Sequence, residues 1–200
     1  MSKQIKPVLR DQLESSARRG FMKSTSALGG ALVVGFHLPA SNAAAAKADA
    51  AQVANAFVKI DSKGGVTIIC HRSEMGQGVY TSMPILVAEE LGVPLSAVKV
   101  EMAPSAPVYI NAMLGGQITG GSTSVRDAWT KLREAGASAR TVLVAAAAET
   151  WKVPATECTA ANGVVSHKSG KKLAYGALVA KASAMKMPEK VALKDPKDWT

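Results

Sequence analysis

The 200-residue chain is 48% hydrophobic but only 4% aromatic, enough for one domain with an alanine-rich core, or for one domain and a targeting segment. Its formal charge of +9 divides into +4 over residues 1–50 and +5 over residues 51–200. The body's lysines are scattered, which argues against the clustered basic stripe with interleaved aromatics that nucleic acids require.

The first 50 residues read as an address. Arg18-Arg19-Gly20-Phe21-Met22-Lys23 precedes a modest apolar run from Ser24 to Pro39. That run is too short and too weakly apolar for a stable membrane span. An arginine pair, a short apolar region and then small residues (Ala40, Ser41, Ala43 to Ala46) make up a twin-arginine export signal, with cleavage expected near Ala43. This route carries folded proteins, so the signal hints at a cofactor inserted before export. The expected location is the periplasm or a periplasm-facing membrane surface.

In the body, 51–200, Ala56 to Ile60 alternates like a strand, Ser62-Lys63-Gly64-Gly65 is a turn, and Val66 to Cys70 is the β-branched return strand. A polar loop follows, Glu74-Met75-Gly76-Gln77-Gly78. A helix is predicted from Ser82 or Met83, with Pro84 in its first turn and Gly92 as its stop. Val98 to Met102 is a strand and 103–114 a loop. The longest helix is predicted near Val125 to Trp151, with Ala128, Leu132, Ala135, Ala139, Val142 and Leu143 as its buried stripe. Ser124 and Asp127 have the spacing of a capping box, and the alanines suit close packing on a sheet. Asn162-Gly163 between Thr159–Ala161 and Val164–Ser166 signals a hairpin. Tyr175 to Ala184 is a last helix, and 194–200 a polar tail. Cys70 and Cys158 match no metal-ligand spacing, so two free, buried thiols are expected.

Two glycine-rich stretches precede helices, and helix N-termini expose unpaired amides and partial positive charge. Gly120-Gly121-Ser122-Thr123-Ser124 is a plausible phosphate cradle. Gln77, able to donate and accept, suits an oxo or pterin group better than a bare phosphate. Neither stretch matches the dinucleotide or P-loop fingerprints. Glu74 reads as a capping or solvated carboxylate rather than a general base. His71 and His167 are isolated in sequence, and no ligand set or triad follows from them.

Together, Glu74-Met75-Gly76-Gln77-Gly78-Val79-Tyr80-Thr81 and Gly115-Gly116-Gln117-Ile118-Thr119-Gly120-Gly121-Ser122-Thr123-Ser124-Val125-Arg126 resemble the cofactor loops of the xanthine oxidase, or molybdenum hydroxylase, family. The export signal and the tail from Leu193 to Trp199 are similar to the β-subunit type of isoquinoline oxidoreductases and bacterial membrane-associated aldehyde dehydrogenases. The resemblance implies an α+β fold with a mixed sheet and packed long helices, and a molybdopterin cofactor, often in the cytosine dinucleotide form. It also implies oxidation of N-heteroaromatics or aldehydes with water as oxygen source. Electrons would pass to [2Fe–2S] clusters on an iron–sulfur small subunit, then to a c-type cytochrome or quinone-linked acceptor. By position, Gly76, Gln77 and Gly78 would contact the pterin end, and Thr119, Gly120, Gly121, Ser122, Thr123 and Ser124 the phosphates. No Gly-Glu pair matches the family's catalytic glutamate, so no catalytic and no metal-ligating residue is assigned. The resemblance therefore implies an N-terminal piece of a large subunit, inactive without the remainder. The rival expectation is an exported, non-catalytic partner or binding protein whose loops hold another phosphorylated ligand.

Overall fold

The structure is a computed structural model that describes residues 53–199; the export signal predicted over 1–50 lies outside them. Four strands form one sheet in the order β1-β2-β3-β4: Val53–Ala54, Val58–Ile60, Val66–Cys70 and Val98–Met102. The first three pair antiparallel, while β3 and β4 run parallel with Val66 opposite Val98 and Cys70 opposite Met102. The crossover between them is helix α1, Val79–Leu91, so the sheet is mixed as expected. The predicted first strand begins two residues late, at Val58. Asn55 Oδ1 takes the amides of Phe57 and Val58 at 2.9 and 3.0 Å, a local turn that competes with ladder pairing.

Helix α1 starts at Val79, not near Ser82. Gly78 occupies the left-handed region at φ 82° as its N-cap, and Gly92 ends it at φ 77°. Pro84 therefore lies inside the helix rather than in its first turn. Helix α2, Ser124–Trp151, is the predicted long helix, and Ala128, Leu132, Ala135, Ala139, Val142 and Leu143 are all buried. It packs most extensively on α1. There Gly136 is the point of closest approach, for a Cβ at Gly136 would sit 2.5 Å from the Val87 carbonyl oxygen. The alanines thus serve a helix–helix contact first and a sheet contact second.

Strands β5 (Cys158–Ala161), β6 (Val164–His167) and β7 (Lys172–Ala174) form a second, antiparallel sheet turned at Asn162-Gly163. Helix α3, Tyr175–Ala182, is two residues shorter than predicted. One continuous core runs from Val58, Ile60 and Ile68 through Met83, Leu86 and Leu91 to Leu132, Leu143, Val165 and Leu178. Cys70 and Cys158 are free and buried.

A buried ion cluster docks the C-terminal tail. Glu90 is fully buried and receives Arg133 Nη2 at 2.7 Å, Arg140 Nη1 at 3.4 Å and the Lys194 amide at 3.0 Å. The Arg133 guanidinium also lies 5.2 Å from both the Trp129 and Trp199 ring centres.

Candidate functional site

The carboxyl ends of the parallel pair β3–β4 carry the two glycine-rich segments on the loops that leave them. β3 runs into His71, Arg72, Ser73 and then the loop 74–78; β4 runs into 103–123. The segments meet directly, for the Ser73 amide donates to Thr119 Oγ1 at 2.8 Å. Beside that bond lies a cavity of about 300 Å³ lined by His71, Arg72, Ser73, Met102, Ser105, Gln117 and Thr119. Crevices beyond the carboxyl ends of parallel strands are where open sheets bind ligands.

The first loop is organised by Glu74. Its Oε1 accepts the amides of Met75, Gly76 and Gly78 at 3.1, 2.8 and 3.0 Å, and its Oε2 accepts that of Tyr80 at 3.0 Å. The amides of Tyr80 and Gly78 lead in holding the carboxyl down at about 2, with those of Gly76 and Met75 adding to them against an opposing desolvation. Glu74 is thus the capping group expected, and the anion position at the start of α1 is filled by the chain's own carboxylate. Gln77 is turned onto the same loop: its Nε2 donates to Ser73 O at 2.9 Å and its Oε1 accepts the Met75 amide at 2.6 Å. Gly76 and Gly78 face open space, with nothing within 4 Å of a built Cβ.

The second loop is arranged differently. Thr123 is the N-cap of α2 and makes no side-chain cap. The predicted Ser124–Asp127 capping box does not form, because Asp127 turns away to Arg72, Lys131 and the Ala112 amide. Thr123 Oγ1 instead donates to Gly120 O at 2.8 Å and accepts Asn111 Nδ2 at 2.7 Å. Among the described residues, nothing accepts from the amides of Ser124, Val125 or Arg126. Gly121 and Ser122 hold left-handed φ values of 59° and 53°, and a Cβ at Gly120 would meet nothing within 4 Å. One helix start is therefore capped from within and the other is open.

Electrostatics favour an anion at the open one. Arg126 is exposed at its first turn, and Asp127 is flanked by Arg72 at 2.7 Å and Lys131 at 3.0 Å. Burial works against the Asp127 charge, but Lys131, the Ala112 amide and Arg72 outweigh it and keep the carboxyl below its usual value. His71 is buried against the Phe57 and Tyr109 rings with both ring nitrogens unpartnered. Burial, then the Arg72 charge, push its pKa down to about 4, so it is neutral at pH 7.

Sequence reasoning placed the two loops but missed their brace. Arg72 and Asp127 are 55 positions apart, and only the three-dimensional pairing joins them. His167 is not isolated either: its Nε2 meets Glu157 Oε2 at 2.9 Å and its Nδ1 meets Ser169 Oγ at 2.8 Å, which ties the β6 turn to the segment before β5. Among the described residues no cluster of three or more His, Cys, Asp or Glu could hold a metal ion directly, and no helix is long and apolar enough to cross a membrane.

The family model described as "Molybdopterin cofactor-binding domain" matches residues 8–200. Isoquinoline 1-oxidoreductase subunit beta of Brevundimonas diminuta is 37% identical over 179 residues, covering 86% of this chain and 22% of that protein. The membrane-bound aldehyde dehydrogenase [pyrroloquinoline-quinone] of Gluconacetobacter polyoxogenes is 31% identical over 178 residues, covering 86% of this chain and 22% of that protein. The chain thus spans about a fifth of the length of these relatives. Quinoline 2-oxidoreductase from Pseudomonas putida 86 aligns in structure with a TM-score of 0.49 at 20% identity, over 71% of this chain and 19% of that one. Reconstituted CO dehydrogenase from Oligotropha carboxidovorans aligns with a TM-score of 0.48 at 22% identity, over 60% and 15%.

Proposed function

The chain belongs to the molybdopterin cofactor-binding domain family, and from that membership we propose that it forms the N-terminal cofactor-holding part of the large subunit of a molybdenum-dependent oxidoreductase. The observation that carries the reading is the open start of α2. The loop 119–124 and the first turn of the helix carry three backbone amides with no acceptor among the described residues, the Thr119, Ser122 and Ser124 hydroxyls and an exposed Arg126. That donor set fits the phosphate end of a pterin cofactor.

In this reading Thr119, Gly120, Gly121, Ser122 and Ser124 hold the phosphates, while Thr123, expected among them, is buried with its hydroxyl and amide both bonded to Gly120 O and so shapes the loop instead. Gly76, Gln77 and Gly78 approach the pterin, with Gln77 already turned so that its amide group lies on the loop backbone. When bound, the molybdenum centre supplies two-electron oxidation of a substrate carbon. This chain's own residues bind and orient: Glu74 holds the first loop in shape, and Thr119 holds the second against Ser73. This reading assigns no proton transfer to an acid or base among the described residues.

The finer features follow the same reading. The substrate is an N-heteroaromatic or an aldehyde. The cofactor carries a cytosine dinucleotide. Electrons pass to [2Fe–2S] clusters on a small subunit and on to a cytochrome or quinone. Residues 1–50 direct export by the twin-arginine route. The test is substitution of the open helix start. In natively expressed protein, Ser122→Ala with Ser124→Ala should lower bound pterin, read as fluorescence after oxidative release, while the melting temperature of the cofactor-free protein stays unchanged. Full pterin retention in that double variant would remove the second loop from the site.

A further inference from the structure

Arg72 and Asp127 are not among the residues assigned to the cofactor, yet they form the most deeply buried ion pair among the described residues. The side chains are 0% and 2% exposed and meet at 2.7 Å. Arg72 stands at the root of the first loop, and Asp127 lies on the first turn of α2, just past the second. Each also grips the segment between. Arg72 Nη1 donates to the His71 and Tyr109 carbonyls at 2.7 and 3.0 Å, and Asp127 Oδ1 accepts the Ala112 amide at 2.8 Å. Asn111, next in the chain, holds Thr123 Oγ1. One ion pair therefore connects the root of the first loop, the 109–112 bend and the start of α2.

On the cofactor reading above, we propose that Arg72 and Asp127 are positioning residues: their ion pair sets the spacing of the two glycine-rich loops, and so presets the open amides of α2 for the cofactor. A site that must hold both ends of one ligand gains from fixed geometry, because ordering done in folding is not repeated on binding. The guanidinium fork suits this position. It holds Asp127 from one nitrogen and two carbonyls from the other in a fixed planar geometry, which the single nitrogen of an ammonium does not reproduce.

Charge alone gives the opposite expectation, which makes the proposal testable. Asp127→Asn removes a negative charge one turn from an anion site, so a purely electrostatic role predicts tighter cofactor retention. A positioning role predicts looser retention, because Arg72 loses its partner and the loops lose their brace. The experiment uses natively expressed protein carrying Asp127→Asn, Arg72→Lys or, as a stability control far from the loops, Val165→Ala. Val165 is fully buried in β6.

Pterin loss on dialysis is expected to be about tenfold faster in Asp127→Asn and Arg72→Lys, the usual scale for residues that orient a binding group. It should match wild type in Val165→Ala. In the cofactor-free chain, hydrogen exchange should rise at 73–78 and 109–124 and not in β5–β7. Wild-type or slower pterin loss in both brace variants overturns the proposal, as does equal loss in Val165→Ala. Where Asp127→Asn does not fold, Arg72→Lys decides alone. If wild type itself carries no pterin, the cofactor reading fails. The exchange measurement then still judges the brace, and unchanged exchange at 73–78 in Arg72→Lys refutes it.

Discussion

Glu90→Gln should loosen the C-terminal tail and lower stability by an amount the cluster itself predicts. The substitution keeps the side chain's shape and removes its charge. Arg133 then loses an ion partner at 2.7 Å and Arg140 one at 3.4 Å, both partly or largely buried. Removing one member of a buried pair costs about 3–5 kcal/mol. Part of the environment survives. Arg133 keeps its place between Trp129 and Trp199 and its bond to the Lys194 carbonyl, and Arg140 keeps the Glu90 and Ala192 carbonyls. The lower end, about 3 kcal/mol, is the expectation, and at about 2–4 °C per kcal/mol for a domain of this size the melting temperature falls by about 6–12 °C. Thermal unfolding followed by circular dichroism measures the shift, and limited proteolysis reads the tail. A fall below about 2 °C, or a tail as resistant as in wild type, would refute the role given to Glu90.

Three further outcomes follow from the same geometry. Glu74 titrates near 2 in the folded chain against an ordinary 4.5, so its stabilisation is full above about pH 4.5 and drains away as pH falls toward 2. Glu74→Gln should flatten the dependence of melting temperature on pH across that window, and an unaltered acid limb would count against the four amide contacts. Gln77→Ala should lower pterin occupancy in natively expressed protein; occupancy equal to wild type would free Gln77 of any role. Gly136→Ala forces a Cβ to 2.5 Å from Val87 O. The overpacking cost of about 1–3 kcal/mol should exceed the gain of about 1 kcal/mol in helix propensity, so denaturant titration should show a less stable protein, and a stabilised one would contradict the helix contact.

What could be read from the sequence was local. The Asn162-Gly163 hairpin, the Gly92 stop and the stripe from Ala128 to Leu143 depend on neighbours within a turn or two, and each lies where the pattern put it. The start of α1 was misjudged because Pro84 suggested a first turn, whereas Gly78 in the left-handed region and the Glu74 carboxylate set the helix start earlier. Glu74, four residues before Gly78, was the one signal that could have shown it. The capping box failed because Asp127 had a stronger non-local partner in Arg72. Glu90 and the Lys194 amide are 104 positions apart, and no sequence period reports such a pairing. The glycine loops were legible as candidates for an anion site, but that of the two helices they lead into α1 is capped by a carboxylate and α2 is not depends on where Glu74 and Asp127 turn.

The central claim, that this chain holds a molybdenum–pterin cofactor, is tested most directly by metal and pterin analysis of the natively expressed protein from a molybdate-fed host. The account predicts that molybdenum and pterin copurify in equal amounts with the protein. Purification of folded protein together with its natural partners, but with neither molybdenum nor pterin, would contradict it.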